Sequence, residues 1–351
     1  MSRFSSRFGR VHRVTVFSAL LLFAAVALSQ DQSLPVLIRK GQSALDAGDF
    51  ASAARDFEQA RQLAPDSLEA NRGLVLSYLQ QGRLAEAESI GQAAVARWPK
   101  DAELQHWLGL VYFKKSQNSP ALAALQRSEN LDGTHYDIHF DLALVLLSDS
   151  NYSPAANELE KAIKLDPKAA LPRVLLGRAY QNTNRTMQAV EQFQLALRLD
   201  PAIPLGHYHL GFAYASLGRN SEAIAEYEKE LRQSPNNPTV LYQLGHCQLE
   251  AGELDSAIEH LKRATEVDPT HADSFYDLGK ALLLRGDAES AILALRRSIA
   301  LQPPNPAPHY QLSRALEKAD MKEEARQELE TFATLKKAQP VTGGMASGPV
   351  Q

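Results

Sequence analysis

Cysteine is nearly absent, Cys247 being the only one in 351 residues, so no intramolecular disulfide can form even in a compartment that permits one. Stability must come from packing. Basic charge is also short: 37 Lys and Arg stand against 41 Asp and Glu. That balance disfavours nucleic acid as a partner, because such binding rests on clustered Lys and Arg neutralising phosphates. No Ser/His/Asp set, P-loop or glycine-rich phosphate cradle occurs, so no catalytic activity and no cofactor is expected.

Long apolar runs are missing as well. The run from Val14 to Leu28 has 15 residues, fewer than the roughly 20 that span a bilayer as a helix. It follows Arg3, Arg7, Arg10 and Arg13 with no acid among them, and ends in Ala27-Leu28-Ser29. This is the layout of a secretory signal, with cleavage expected after Ser29; an uncleaved signal would instead anchor the chain in a membrane. Loss of those four arginines takes the formal charge from −4 to −8. The expected location is extracytoplasmic, periplasmic or secreted. No Cys lies near the cut to carry a bacterial lipid anchor.

What the sequence does contain is repetition. AIKLDPKAALPRVLLGRAY (162–180) and ALRLDPAIPLGHYHLGFAY (196–214) share a skeleton 34 positions apart. Stepping by 34 from Leu34 gives nine units, starting at 34, 68, 102, 136, 170, 204, 238, 272 and 306 and ending at 339, without insertion. Slot 20 is alanine in all nine, from Ala53 to Ala325, and slot 7 is leucine from Leu74 onward. Slot 8 is Gly41, Gly109, Gly177, Gly211, Gly245 or Gly279 in six units. Glycine costs a helix about 1 kcal/mol against alanine, so its recurrence marks a close approach of two helices, with slot 20 as the matching small surface. Slot 15 is glycine in five units and Ser116, Ser150, Asn184 or Asp320 in the rest, while slot 32 is proline in seven. Each unit therefore reads as helix, turn, helix, loop.

The pattern closely resembles the tetratricopeptide repeat, carried best by Leu176, Gly177, Tyr180, Ala189, Phe193, Ala196 and Pro201, and by Leu210, Gly211, Tyr214, Ala223, Tyr227 and Pro235. The resemblance implies an all-α, right-handed α-solenoid of about nine helix-turn-helix repeats over 34–339, followed by a flexible tail, 340–351. Unit two departs from it with Val75 at slot 8 and Gly91 at slot 24. Unit six departs with Glu230 at slot 27, which should weaken its junction with unit seven unless the carboxylate reaches solvent or a basic partner. The last unit has no following helix, leaving a face through which copies of the chain are able to associate.

The resemblance also implies a concave groove lined by slots 2, 5, 9, 12 and 13 of the first helices. Slot 5 supplies Phe140, Tyr208, Tyr242, Tyr276 and Tyr310, a ladder of rings that suits an extended peptide or, alternatively, a glycan. Slot 9 adds Arg178, His246, Lys280 and Arg314 as basic donors, fitting an acidic or C-terminal segment. Earlier in the chain, slots 9 and 12 give Leu76, Leu79, Leu110, Phe113, Leu144 and Leu147, an apolar patch for an amphipathic helix if exposed, or inter-helix packing if not. His135, Asp137, His139 and Asp141 have metal-like spacing, yet His139, His207 and His309 all fall at slot 4, where a flat filler is required. Cys247 falls at slot 10, which takes small buried residues. The expected function is a non-catalytic protein-binding scaffold, serving an exported or envelope complex, with a protein or peptide partner and no metal.

Overall fold

The computed structural model describes residues 33–338, so the signal-like segment (1–29) and the tail (340–351) lie outside the described residues. Eighteen α-helices and no strand occur among them, and none of the helices is long and apolar enough to cross a membrane. Contacts divide the chain into two compact units, Met1–Asn151 and Tyr152–Gln351. The first unit holds α1 (Leu34–Asp46), α2 (Phe50–Leu63), α3 (Leu68–Gln80), α4 (Leu84–Arg97), α5 (Ala102–Lys114), α6 (Asn118–Leu131) and α7 (Tyr136–Ser148). The second holds α8 (Tyr152–Leu165), α9 (Leu171–Asn182), α10 (Thr186–Leu199), α11 (Gly206–Ser216), α12 (Asn220–Gln233), α13 (Pro238–Ala251), α14 (Leu254–Val267), α15 (Ala272–Arg285), α16 (Ala288–Leu301), α17 (Pro306–Lys318) and α18 (Lys322–Ala338). The division falls at the turn of the fourth period, where the sequence repeat continues without a break.

The turns form for a backbone reason. All nine residues at slot 15 are left-handed, from Ser150 at φ 57° to Gly286 at φ 101°. Glycine adopts this region freely, Asn and Asp with local help, and serine at a cost of about 1–2 kcal/mol. The chain therefore leaves the first helix of each repeat through one conformation regardless of residue. Helix starts are capped where a short polar side chain is available: Asp49, Ser67 and Asp101 accept from the third backbone N–H of α2, α3 and α5, and Asn237 and Asn305 cap α13 and α17.

Packing follows the small-residue slots. The nine slot-20 alanines are all buried, at 0–3% exposure. The slot-8 glycines meet a large slot-24 side chain of the same repeat: a Cβ on Gly177 would lie 2.5 Å from the Phe193 ring, and one on Gly245 2.7 Å from Leu261. The slot-20 carbonyl is also near, 3.2 Å from a Cβ on Gly211. In unit two the sizes are exchanged, Val75 standing at slot 8 opposite Gly91 at slot 24, so one departure compensates the other. Within each unit, helices pack on their sequence neighbours, and first helices also touch the next first helix (α1–α3–α5–α7 and α9–α11–α13–α15–α17). The first helices thus form one continuous face of each unit.

A second contact ties successive repeats. Tyr78, Tyr180 and Tyr214 at slot 11 each reach back to slot 25 of the preceding repeat. The Tyr78 hydroxyl donates to Glu58, the Tyr180 hydroxyl donates to Glu160 at 2.6 Å, and Gln194 donates to Tyr214 at 2.9 Å. Arg83, Arg185 and Arg219, just past the turn, stack on the same rings at 4.1, 4.0 and 4.6 Å. Burial and the carboxylate acceptor push the Tyr78 and Tyr180 hydroxyls up to about 12.

Candidate ligand groove

The first-helix face of the second unit carries the ring ladder. Slot 5 sits on the first helix of each repeat, so 34-residue spacing sets Tyr208 on α11, Tyr242 on α13, Tyr276 on α15 and Tyr310 on α17 in one register. Tyr208, Tyr242 and Tyr276 are half-buried, and Tyr310 is 42% exposed. Tyr242 and Tyr276 pack against the core of the last repeats, so part of each ring serves stability. Tyr208 faces Phe212 at 6.4 Å between centroids, Tyr242 meets the His271 ring edge at 4.7 Å, and Tyr310 lies 5.3 Å from Phe332. Burial raises the Tyr208 and Tyr242 hydroxyls, which stay protonated donors at neutral pH. Phe140 belongs to the first unit, where it stacks on Tyr136 at 5.5 Å.

The basic donors beside the ladder are partly spent. His246 Nδ1 lies 2.8 Å from Asp277 Oδ2 on the next first helix, a bond that raises the imidazole's proton affinity. Lys280 Nζ donates to Glu250 at 2.8 Å. Both donors are therefore already engaged by carboxylates at slots 6 and 13, which the sequence reading did not weigh. Arg178 and Arg314 are exposed, and Arg314 donates only to Gln311, at 3.3 Å. Residues the sequence reading missed include Phe212 at slot 9 and Gln181 at slot 12, whose buried Nε2 has no acceptor. A buried polar atom left unpaired is invisible in a sequence pattern.

The N-terminal apolar residues divide. Leu79 is core, at 1% exposure, packed with Phe57, Leu74 and Tyr78, so it offers no docking surface. Its neighbour Leu110 packs against the same cluster, while Leu76, Phe113, Leu144 and Leu147 are half-buried. A cavity of about 380 Å³ opens elsewhere in this unit, among Glu58, Arg61, Gln62, Pro65, Leu74 and Tyr78.

The histidines hold the framework. His207 Nδ1 lies 2.6 Å from Glu226, and His309 Nδ1 lies 2.5 Å from Glu328, each pair joining slot 4 to slot 23 of its repeat. His139 contacts the Gly133 carbonyl at 2.9 Å, His135 pairs with Asp132 at 3.1 Å, and Asp141 pairs with His106 at 2.7 Å. His135, His139 and Asp141 thus face separate partners. Cys247 is 2% exposed and burial pushes its thiol up to about 11, the setting of a packing residue.

Glu230 takes neither of the two exits open to it from the sequence. It is 2% exposed, and its Oε2 accepts from the Tyr208 backbone N–H at 3.1 Å. That helix, α11, starts at Leu205 in the left-handed region (φ 59°) with no side-chain cap. The carboxylate from α12 supplies the missing acceptor at the positive end of α11. At the far end of the second unit only Ala325 of α18 is buried; Leu329 is 44% exposed, and Phe332 is covered by Tyr310 and by Lys336 at 5.5 Å.

Three family models described as tetratricopeptide repeat match residues 38–102 and 174–238, residues 214–281, and residues 272–305, together more than half of the chain. Among solved structures, YrrB, a tetratricopeptide-repeat protein with an unusual peptide-binding site, is 25% identical, covering 53% of this chain and 96% of its own, with a TM-score of 0.48. A MamA structure from Desulfovibrio magneticus is 22% identical, covering 48% of this chain and 96% of its own, at 0.47. A thermophilic tetratricopeptide-repeat protein of Thermus thermophilus is 22% identical, covering 52% of this chain and all (100%) of its own, at 0.42. No curated protein matches. On the matched repeats and the helix pairs they describe, the chain belongs to the tetratricopeptide repeat family.

Proposed function

We propose that the chain is a non-catalytic protein-interaction scaffold that receives an extended peptide or protein segment along the first helices of its second unit. The observation that carries this reading is the register of Tyr208, Tyr242, Tyr276 and Tyr310 on successive first helices, each pairing an apolar ring with a hydroxyl. Rigid rings lose little entropy on binding, and a row of them at repeat spacing suits an extended chain. The signal-like residues 1–29 support a place outside the cytoplasm, in an exported or envelope assembly.

The test is a crosslinked pull-down from the envelope fraction, using the chain from Gln30 onward and a Tyr208→Ala, Tyr242→Ala, Tyr276→Ala variant checked for folding by circular dichroism. Proteins captured by the first and lost with the second support the reading. Capture unchanged by the substitutions moves the ligand surface elsewhere. Captured material that survives protease digestion favours a glycan ligand instead.

A further inference from the structure

Two hydrogen-bond donors on one face of α9 lack a protein acceptor. Arg178 is exposed, and among the described residues no carboxylate forms an ion pair with it. Gln181, three residues on and therefore on the same face, has a buried Nε2 without a partner. A buried amide N–H left unpaired is costly, so it is a place where an incoming acceptor gains more than usual. Leu171, two turns earlier on that face, is 51% exposed, and Leu205 at the start of α11 is 40% exposed.

The surroundings favour an anion at this point over the rest of the groove. The Arg178 charge acts on both Tyr208 and His209 of α11, the first helix that packs next to α9. His209 stacks on Phe193 at 5.6 Å, and burial holds its imidazole down to about 4, so it is neutral at physiological pH and adds no charge. Farther along, His246 and Lys280 already hold Asp277 and Glu250. Among the described slot-9 residues beside the ladder's first three rungs, Arg178 is the one basic side chain without a carboxylate partner.

We propose that the face shared by α9 and α11 is the anchoring subsite of the groove, and that its ligand is an extended acidic peptide segment: a side-chain carboxylate on Arg178 and Gln181, with an adjacent apolar side chain against Tyr208 and Phe212. A planar guanidinium matches a carboxylate in two-point geometry, and the neighbouring rings exclude water from the bond. This subsite rests on the peptide-groove reading above and names the chemistry of the partner.

A synthetic peptide array tests it, each peptide carrying Asp, Glu, Asn, Gln or Arg at a central position between Leu and Phe, probed with the labelled chain. The unmodified chain should favour the Asp and Glu peptides over their amide isosteres by about tenfold, corresponding to about 1.4 kcal/mol. Arg178→Glu should shift the preference to the Arg peptides, and Arg178→Gln should abolish it, with melting temperatures unchanged because the side chain is exposed. Peptide binding that depends on Tyr208 but ignores both the central residue and Arg178→Glu would overturn the anchor while leaving the groove standing. Absence of binding to every peptide, or binding indifferent to Tyr208→Ala, overturns the groove reading and the anchor with it.

Discussion

Glu230 shows how one residue at a packing slot acquires a separate duty. Every other repeat with a following helix has Ala or Ser at slot 27, and a carboxylate there reads as a defect when only the column of aligned residues is in view. The structure supplies the missing half: α11 begins two residues later in its period than most first helices, behind a left-handed Leu205 whose side chain provides no cap. Its amino end needs an acceptor, and the antiparallel α12 delivers one at 3.1 Å. Removing that oxygen leaves the Tyr208 N–H unpaired and opens a void at a residue only 2% exposed. Glu230→Ala should therefore destabilise the chain by about 1–2 kcal/mol, the usual worth of a helix cap, although alanine is the common residue at this slot. Glu230→Gln, which keeps an acceptor oxygen in reach, should lose less. Urea denaturation of the two variants orders them, and a gain in stability for alanine would show that the slot's demand for a small residue outweighs the cap.

At the scale of the helix pair, most of the architecture was readable because its causes are local. A left-handed turn, a capping side chain and a helix-stopping proline each sit in a short window of sequence, and the slot-15 residues announced their conformation by type. The same property makes the turns tunable. Ser116 and Ser150 hold φ 58° and 57° without the side-chain advantages of Asn or Asp, whereas Asn184 at 59° has them. Ser116→Gly should raise stability by about 1 kcal/mol, and Asn184→Gly by clearly less, read as shifts in the midpoint of thermal unfolding. Equal shifts would mean that chain entropy of the added glycine, not relief of strain, sets the outcome. What local reading missed was pairing between elements. His246 and Lys280 looked like open donors because Asp277 and Glu250 lie 31 and 30 positions away in the chain, on neighbouring first helices. Leu79 looked like groove surface for the same reason, its burial depending on Phe57 and Leu74 of other turns and another helix.

For the whole molecule, periodicity has an energetic meaning: each repeat meets its neighbours through the same slots, so stability approximates a sum of repeat and nearest-neighbour terms. The sequence made the number of repeats legible, but the division at Asn151 and Tyr152 left no mark, because the 34-residue count runs through it unchanged. Nearest-neighbour behaviour predicts that one full period can be excised. Deleting residues 272–305, a span matched by one family model, takes out Asp277 and Lys280 together. The partners left behind are tolerable, since the His246 and Glu250 side chains are 42% and 47% exposed and can turn to water. The slot-24 Leu261 and slot-8 Gly245 of the seventh repeat keep their contact, which lies within that repeat. The shortened chain should fold cooperatively, lose helical circular dichroism only in proportion to the residues removed, and retain Arg178-dependent peptide selection, because α9 and α11 are untouched. A helical signal that falls well beyond proportion, or a transition that broadens into separate steps, would show that the eighth repeat contributes something its neighbours cannot rebuild.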